Sequence, residues 1–236
     1  MEFKKAKEKN ISNPKLREIR DYAHVVNFGS EITCYNVTSK HVIKIFKSTV
    51  DVNSKLLIPH NIYGTNTYIF IDCIINYYNK IIAYTMQYIK GPILTNHATI
   101  KLFYDLTYET LLEYIDTLLK DSKTEANHGI QVYDCFPSNI ILSENGFKQI
   151  DCVDFKYIDK DPSEIEKENI RLMCQTIYDY VIAPHLSTFI INHNLTPGDF
   201  THSPYEFIKE LKTISENYSD EEIITLNDTK ILSRKK

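Results

Sequence analysis

Glycine and proline are scarce, six and eight in 236 residues, which excludes collagen-like and low-complexity structure. Cysteine offers no framework either. The five cysteines fall at positions 34, 73, 135, 152 and 174 with no CxxC or CxxH pair, so neither a zinc site nor a disulfide lattice is expected. The eight histidines show no HxH or HExxH spacing and receive no metal role. There is no basic excess: the net charge is −4 and the pI about 6.1, which argues against nucleic acid as a partner. Long apolar runs are missing too. The longest, 68–75, is interrupted by Asp72 and is far too short to span a bilayer. The opening residues, MEFKKAKEK, lack the apolar core of a secretory signal. A soluble protein in a reducing, cytoplasmic setting, with no membrane partner, is the expectation. Internal repeats and linkers rich in Gly, Ser or Pro are absent as well.

What remains is a chain with 43% hydrophobic and 25% charged residues, enough for one large domain or two small lobes with a real core. Its abundance of Ile, Asn, Lys and Tyr reads as genome composition. The pattern changes character once, near Gly91-Pro92. Before it, runs rich in β-branched and aromatic residues at 35–37, 41–46, 68–75 and 81–89 predict strands, separated by turn signals at Thr38-Ser39, Tyr63-Gly64 and Tyr78-Asn79. A short helix is expected over 14–22. After Gly91 the period lengthens: Leu111, Leu112, Ile115, Leu118 and Leu119 predict a helix that breaks near Asn127-His128-Gly129. A second helix is expected from Pro162-Ser163-Glu164, with Ser163 as N-cap, to a stop near Pro184, and a third over 204–216. The fold class expected is α+β in two lobes, a strand-rich lobe over 1–90 and a helical lobe over 91–236.

The chemistry concentrates in VYDCFPSNIILSENGFKQIDCVD, residues 132–154. Asp134 is followed five residues later by Asn139, then by a short apolar strand, a turn at Glu144-Asn145-Gly146, a second apolar strand and Asp151. A hairpin here draws Asn139 and Asp151 together. Two oxygen-bearing side chains at a strand end suit Mg²⁺, a hard cation that keeps waters and substrate phosphates among its ligands. Asp134 is placed to accept a proton from an attacking hydroxyl, or to orient it.

These residues resemble the protein-kinase superfamily, including its small, bacterial-type aminoglycoside-phosphotransferase-like branch. Asp134 and Asn139 match the catalytic-loop pattern H-R-D-x-x-x-x-N, and Pro137-Ser138-Asn139-Ile140 is similar to its P-x-N-I core. Asp151 stands where the metal-binding Asp of D-F-G would fall, and Ile150-Asp151-Cys152-Val153-Asp154 is nearer to the small-molecule kinases. Val42-Ile43-Lys44-Ile45 is similar to the strand V-A-I-K. The stretch from Tyr84 to Gly91 is similar to the last N-lobe strand and hinge, and Gly29 to the phosphate-covering loop. The resemblance spans roughly residues 25–180. It implies an ATP- and Mg²⁺-dependent kinase with Asp134 catalytic and Lys44 on the ATP phosphates. Gly29, Met86, Gln87 and Ile89 would lie around the nucleotide, and Asn139, Asp151 and Asp154 around the metal. The acceptor would be a hydroxyl of a protein or small molecule.

The chain also departs from that pattern. Val132 and Tyr133 replace the His and Arg before the catalytic Asp, so control by a phosphorylated activation loop is not expected. Phe136 replaces the Lys that accompanies Ser/Thr acceptors. Glu31 and Cys34 stand at the second and third glycine positions of the covering loop, and no convincing Glu lies between Lys44 and Tyr68 to pair with Lys44. Several readings therefore stay open: an active phosphotransferase, a pseudokinase that binds nucleotide or acts as a scaffold, and AMP transfer on the same fold. Residue roles have plainer alternatives too. Lys44 could be a solvent-facing strand lysine, Asp154 a loop cap, His128 a packing or capping residue, and Tyr133 a ring laid over the loop.

Overall fold

The computed structural model describes residues 7–10, 24–28, 32–36, 40–50, 65–77 and 80–234. Gly29, Glu31 and the helix expected over 14–22 lie outside the described residues. The described fold is α+β. The chain divides into two compact units, Met1–Ile89 with Asp151–Phe155, and Lys90–Ile150 with Lys156–Lys236.

The first unit is built on a six-stranded sheet. Its strands are β1 (Lys7–Asn10), β2 (His24–Phe28), β3 (Ile32–Asn36), β4 (His41–Val50), β5 (Ile71–Tyr77) and β6 (Lys80–Gln87). They run in the order β1-β5-β6-β4-β3-β2, antiparallel except where β1 lies parallel to β5. β4 is central, and Val42, Ile43, Lys44 and Ile45 are all buried, as expected of a strand covered on both faces. Ile43 and Ile45 pack with Ile75, Ile82 and Ala83. Pairing with β6 sets Val42 opposite Met86 and Lys44 opposite Tyr84. Facing residues of an antiparallel pair point to the same side, so Val42, Lys44, Tyr84 and Met86 share one face. The segment Asp151–Phe155 belongs to this unit through Phe155, whose ring meets Tyr68 and Phe70 edge-on at 5.7 and 5.8 Å.

The second unit is helical with two small ladders. Its helices are α1 (His97–Tyr104), α2 (Tyr108–Asn127), α3 (Pro162–Ile177), α4 (Ala183–Asn192), α5 (Pro197–His202), α6 (Pro204–Asn217) and α7 (Leu226–Arg234). β7 (Ile130–Gln131) pairs with β10 (Lys156–Tyr157), and β8 (Ile140–Ser143) with β9 (Gly146–Gln149). α2 follows its periodicity, burying Leu111, Ile115 and Leu118 on one stripe. It ends where His128 caps it, with Nδ1 2.7 Å from the Thr124 carbonyl, and Gly129 takes φ +72°. That is the capping role open to His128 in the sequence. Before β8, Leu94 N–H donates to the Ile140 carbonyl and Leu142 N–H to that of Pro92. Gly91 is required there, because a Cβ would stand 2.3 Å from the Leu142 carbonyl oxygen.

Two helix ends differ from the reading, while the third helix, expected over 204–216, is found. Asp161, not Ser163, is the N-cap of α3; its carboxylate accepts from Ser163 N–H at 2.8 Å. The helical path does not stop near Pro184. It passes through a π-turn at Tyr178–Ile182 into α4, with Pro184 in the first turn, where a missing N–H does no harm. The third helix runs Pro204–Asn217, and α1, α4, α5 and α7 are further helices that the pattern did not single out. No described helix is long and apolar enough to cross a membrane.

Candidate active site

In the second unit, β7 leads into an extended loop, Val132–Phe136 in sequence, and then a 3₁₀ turn over Pro137–Asn139. Asp134 sits in the left-handed region at φ +56°, a conformation that Asp tolerates better than most residues but that still costs about 1 kcal/mol or more. Its neighbours hold it there. Asn139 donates from Nδ2 to the Asp134 carboxylate at 2.8 Å and to the Asp134 carbonyl at 3.2 Å, and Phe136 N–H donates to that carbonyl at 2.7 Å. Asp134 and Asn139 are thus joined directly.

The loop is also fixed from behind by side chains that sequence reasoning did not single out. Asn169 on α3, fully buried, accepts from Val132 N–H at 2.8 Å and donates to the Ile130 carbonyl at 3.0 Å. Gln149 at the end of β9, also fully buried, donates to the Tyr133 carbonyl at 2.8 Å. Thr176 donates to the Cys135 carbonyl at 2.6 Å. The available signals were weak. Asn169 is a polar residue on the apolar stripe of Ile165 and Met173, and Gln149 interrupts an apolar strand. Desolvation pushes the Cys135 thiol up to about 12, outweighing its hydrogen bond to Gln149. Tyr133 is half-buried, with the Lys156 ammonium 4.8 Å from its ring centroid. The Phe136 side chain is 63% exposed beside Asp134.

In the first unit, Lys44 is buried at 8% exposure, which removes the reading of a solvent-facing strand lysine. Its ammonium lies 3.2 Å from Oδ2 of Asp151, and the Tyr84 hydroxyl lies 3.4 Å from Oδ1. The lysine without a nearby glutamate thus has a carboxylate partner in Asp151, far along the chain. The Ile150 N–H, in the second unit, donates to the Asn139 carbonyl at 2.9 Å, and Asp151 is the next residue. Asp154 occupies an exposed position in the turn closed by Phe155 N–H on the Cys152 carbonyl. Met86 is buried beside Val42, Gln87 is exposed opposite His41, and Ile89 is half-buried after Tyr88 N–H donates to the Lys40 carbonyl at 2.8 Å.

Among the described residues, no group of three or more His, Cys, Asp or Glu side chains is arranged to hold a metal ion.

No family model matches the chain, and no curated protein does. Among solved structures it is similar to a twitchin kinase fragment from C. elegans, described as an autoregulated protein kinase and immunoglobulin domains. Identity is 12% and the TM-score 0.48, over 66% of this chain and 36% of that one. The match therefore spans about a third of that chain's length.

Proposed function

We propose that the chain has a two-lobed, protein-kinase-like fold and transfers a phosphoryl group from ATP, with Mg²⁺, to a hydroxyl acceptor. The observation that carries this reading is the enclosed pair of Lys44 and Asp151 at 3.2 Å. A phosphate-binding lysine and a metal-binding carboxylate are the two groups such a reaction requires side by side, and they come from distant parts of the sequence. The bonded pair of Asp134 and Asn139 is the second support.

In this reading Lys44 holds the ATP phosphates, Gly29 lies in the covering loop, and Met86 with the backbone of Gln87 and Ile89 borders the adenine. Asn139 and Asp151 are the oxygen donors for Mg²⁺, with Asp154 as an outer partner. The metal, when bound, neutralises charge on the transferring phosphate. Asp134 orients the acceptor hydroxyl and takes its proton as the new O–P bond forms and ADP leaves. The hinge, the covering loop and the acceptor contact are proposals that rest on the resemblance. The replacements at Glu31 and Cys34 favour a second reading, a nucleotide-binding module without transfer.

Nucleotide stabilisation should require the metal. ATP with Mg²⁺ at a hundredfold over Kd is expected to add about 2.7 kcal/mol, a rise of roughly 5–10 °C in Tm. Addition of EDTA should remove most of that rise. An equal shift in EDTA would contradict the metal site.

A further inference from the structure

On α2, α3 and α6 several cations are matched by an acid three or four residues away: Lys120 by Asp116, Arg171 by Glu168, Lys209 by Glu206 and Lys212 by Glu216. α7 does the opposite. Lys230 and Arg234 stand four residues apart with the same charge, a spacing that weakens a helix. Among the described residues no carboxylate forms an ion pair with either of them, or with His185 in the first turn of α4. The three meet around one ring. Tyr104, buried at the end of α1, has the Lys230 ammonium 4.7 Å from its ring centroid and the His185 ring edge-on at 5.4 Å. Its hydroxyl donates to the Ile182 carbonyl at 3.3 Å, which fixes the ring. Arg234 lies close enough to act electrostatically on Tyr104, Lys230 and His185 alike. Asp105, the C-cap of α1, attracts Lys230 without closing an ion pair.

A helix C-terminus favours cations, which accounts for Arg234 in the last turn of α7, but not for His185 on another helix. We propose that His185, Lys230 and Arg234 form a binding site for a compact, multiply charged phosphate, either pyrophosphate or a small-molecule phosphate ester. The site uses none of the residues assigned to ATP or metal, and it stands apart from the phosphotransferase reading. Arg234 is exposed and Lys230 and His185 are half-buried, so an anion from solution can reach all three. The guanidinium offers a fork of donors, the ammonium a point charge, and the protonated imidazole a further N–H. Tyr104 is a positioning residue that holds Lys230 and His185 at fixed places. An extended polyanion fits less well, because Asp105 borders the cluster and the chain carries a net charge of −4. The arrangement also couples the anion to a proton. Burial first, then Lys230 and Arg234, hold His185 below its ordinary pKa, and an anion among the three raises it again. Binding therefore takes up a proton, and the protein's affinity rises as pH falls.

Isothermal titration calorimetry of the full chain with inorganic pyrophosphate, at low salt and with EDTA, tests the site. Pyrophosphate is expected to bind, and Lys230→Gln and Arg234→Gln should each weaken it at least about fivefold through loss of a charge-assisted contact. Arg234 is exposed, so its variant serves if the change at Lys230, whose ammonium lies over Tyr104, disturbs the fold. Lys209→Gln removes the same charge at an exposed position on α6 and should shift the affinity less than about twofold. The ratio of wild-type affinity to that of His185→Gln should grow as pH is lowered from about 8 to about 6, which cancels the titration of pyrophosphate itself. The His185 titration midpoint, followed by nuclear magnetic resonance, should rise when pyrophosphate saturates the protein. Absence of binding, equal affinity in the wild type and the Arg234 variant, or an unmoved His185 midpoint overturns the proposal. Sedimentation with phosphatidylglycerol vesicles distinguishes the other source of phosphate. Binding to vesicles without binding of pyrophosphate would make the cluster a lipid-facing patch and overturn the small-molecule site.

Discussion

Asp134→Asn should lower turnover by about 10²-fold, and by tenfold at the least, while leaving ATP affinity within about twofold of the wild type. The substitution is chosen because the loop should survive it. An Asn at this position keeps an oxygen that can accept from Asn139 Nδ2, the contact made at 2.8 Å in the native loop. Asn also tolerates the left-handed conformation at φ +56° as well as Asp does. The loop is also held by Asn169, Gln149 and Thr176, which bond the backbone of Val132, Tyr133 and Cys135. What is lost is the capacity to take a proton and the negative charge that orients a hydroxyl. Steady-state kinetics and an ATP titration on the same preparation check it. A parallel fall in binding and turnover would make Asp134 a structural residue.

The second large effect lies away from the site. Glu125 is fully buried on α2, and among the described residues neither carboxylate oxygen has a hydrogen-bond partner. Burial, reinforced by the charge of Asp121 one turn earlier, pushes its pKa from 4.5 up to about 8. Tyr157 on β10 faces the same carboxyl, and its own ionisation is opposed first by burial and then by Glu125; Lys148 on β9, itself shifted down by burial, lies near Asp121. The folded protein thus holds a proton that the unfolded chain releases. Stability from this group is complete below about pH 4.5 and is lost as pH rises toward 8, with a loss on the order of 3 kcal/mol by pH 7. Glu125→Gln cannot titrate. Its stability should match the wild type near pH 4.5 and exceed it by a few kcal/mol at pH 8, read as a Tm higher by roughly 6–12 °C. Denaturant midpoints measured across that range provide the check. Parallel pH profiles for the two proteins would show that Glu125 is not held neutral by burial.

Local features were legible in the sequence because local rules produce them. The β-branched run VIKI marks β4, the Glu144-Asn145-Gly146 turn marks the β8–β9 hairpin, and the spacing of Leu111, Ile115 and Leu118 marks α2. Helix ends were read less well. Pro184 looks like a stop, yet in the first turn of α4 its missing N–H is harmless, and Asp161 takes the capping role expected of Ser163. The partners of the candidate site were not legible, because they are non-local. Nothing in the sequence around Lys44 points to Asp151, and nothing around Asp134 points to Asn169 or Thr176. Phe155, four positions after Asp151, anchors its segment against Tyr68 and Phe70, whereas the family pattern directs attention to the residue immediately following the Asp.

The central claim is phosphoryl transfer from ATP, and label transfer measures it directly. Purified protein with Mg²⁺ would be incubated with ATP labelled at the γ- or the α-phosphate, alongside Asp151→Ala, and label followed to water, to the protein itself and to a panel of small hydroxyl compounds. The account predicts that γ-label moves and α-label does not, and that Asp151→Ala stops the transfer. Movement of α-label would mean AMP transfer, absence of both would leave a binding module, and γ-transfer undiminished in Asp151→Ala would contradict the role given to Asp151.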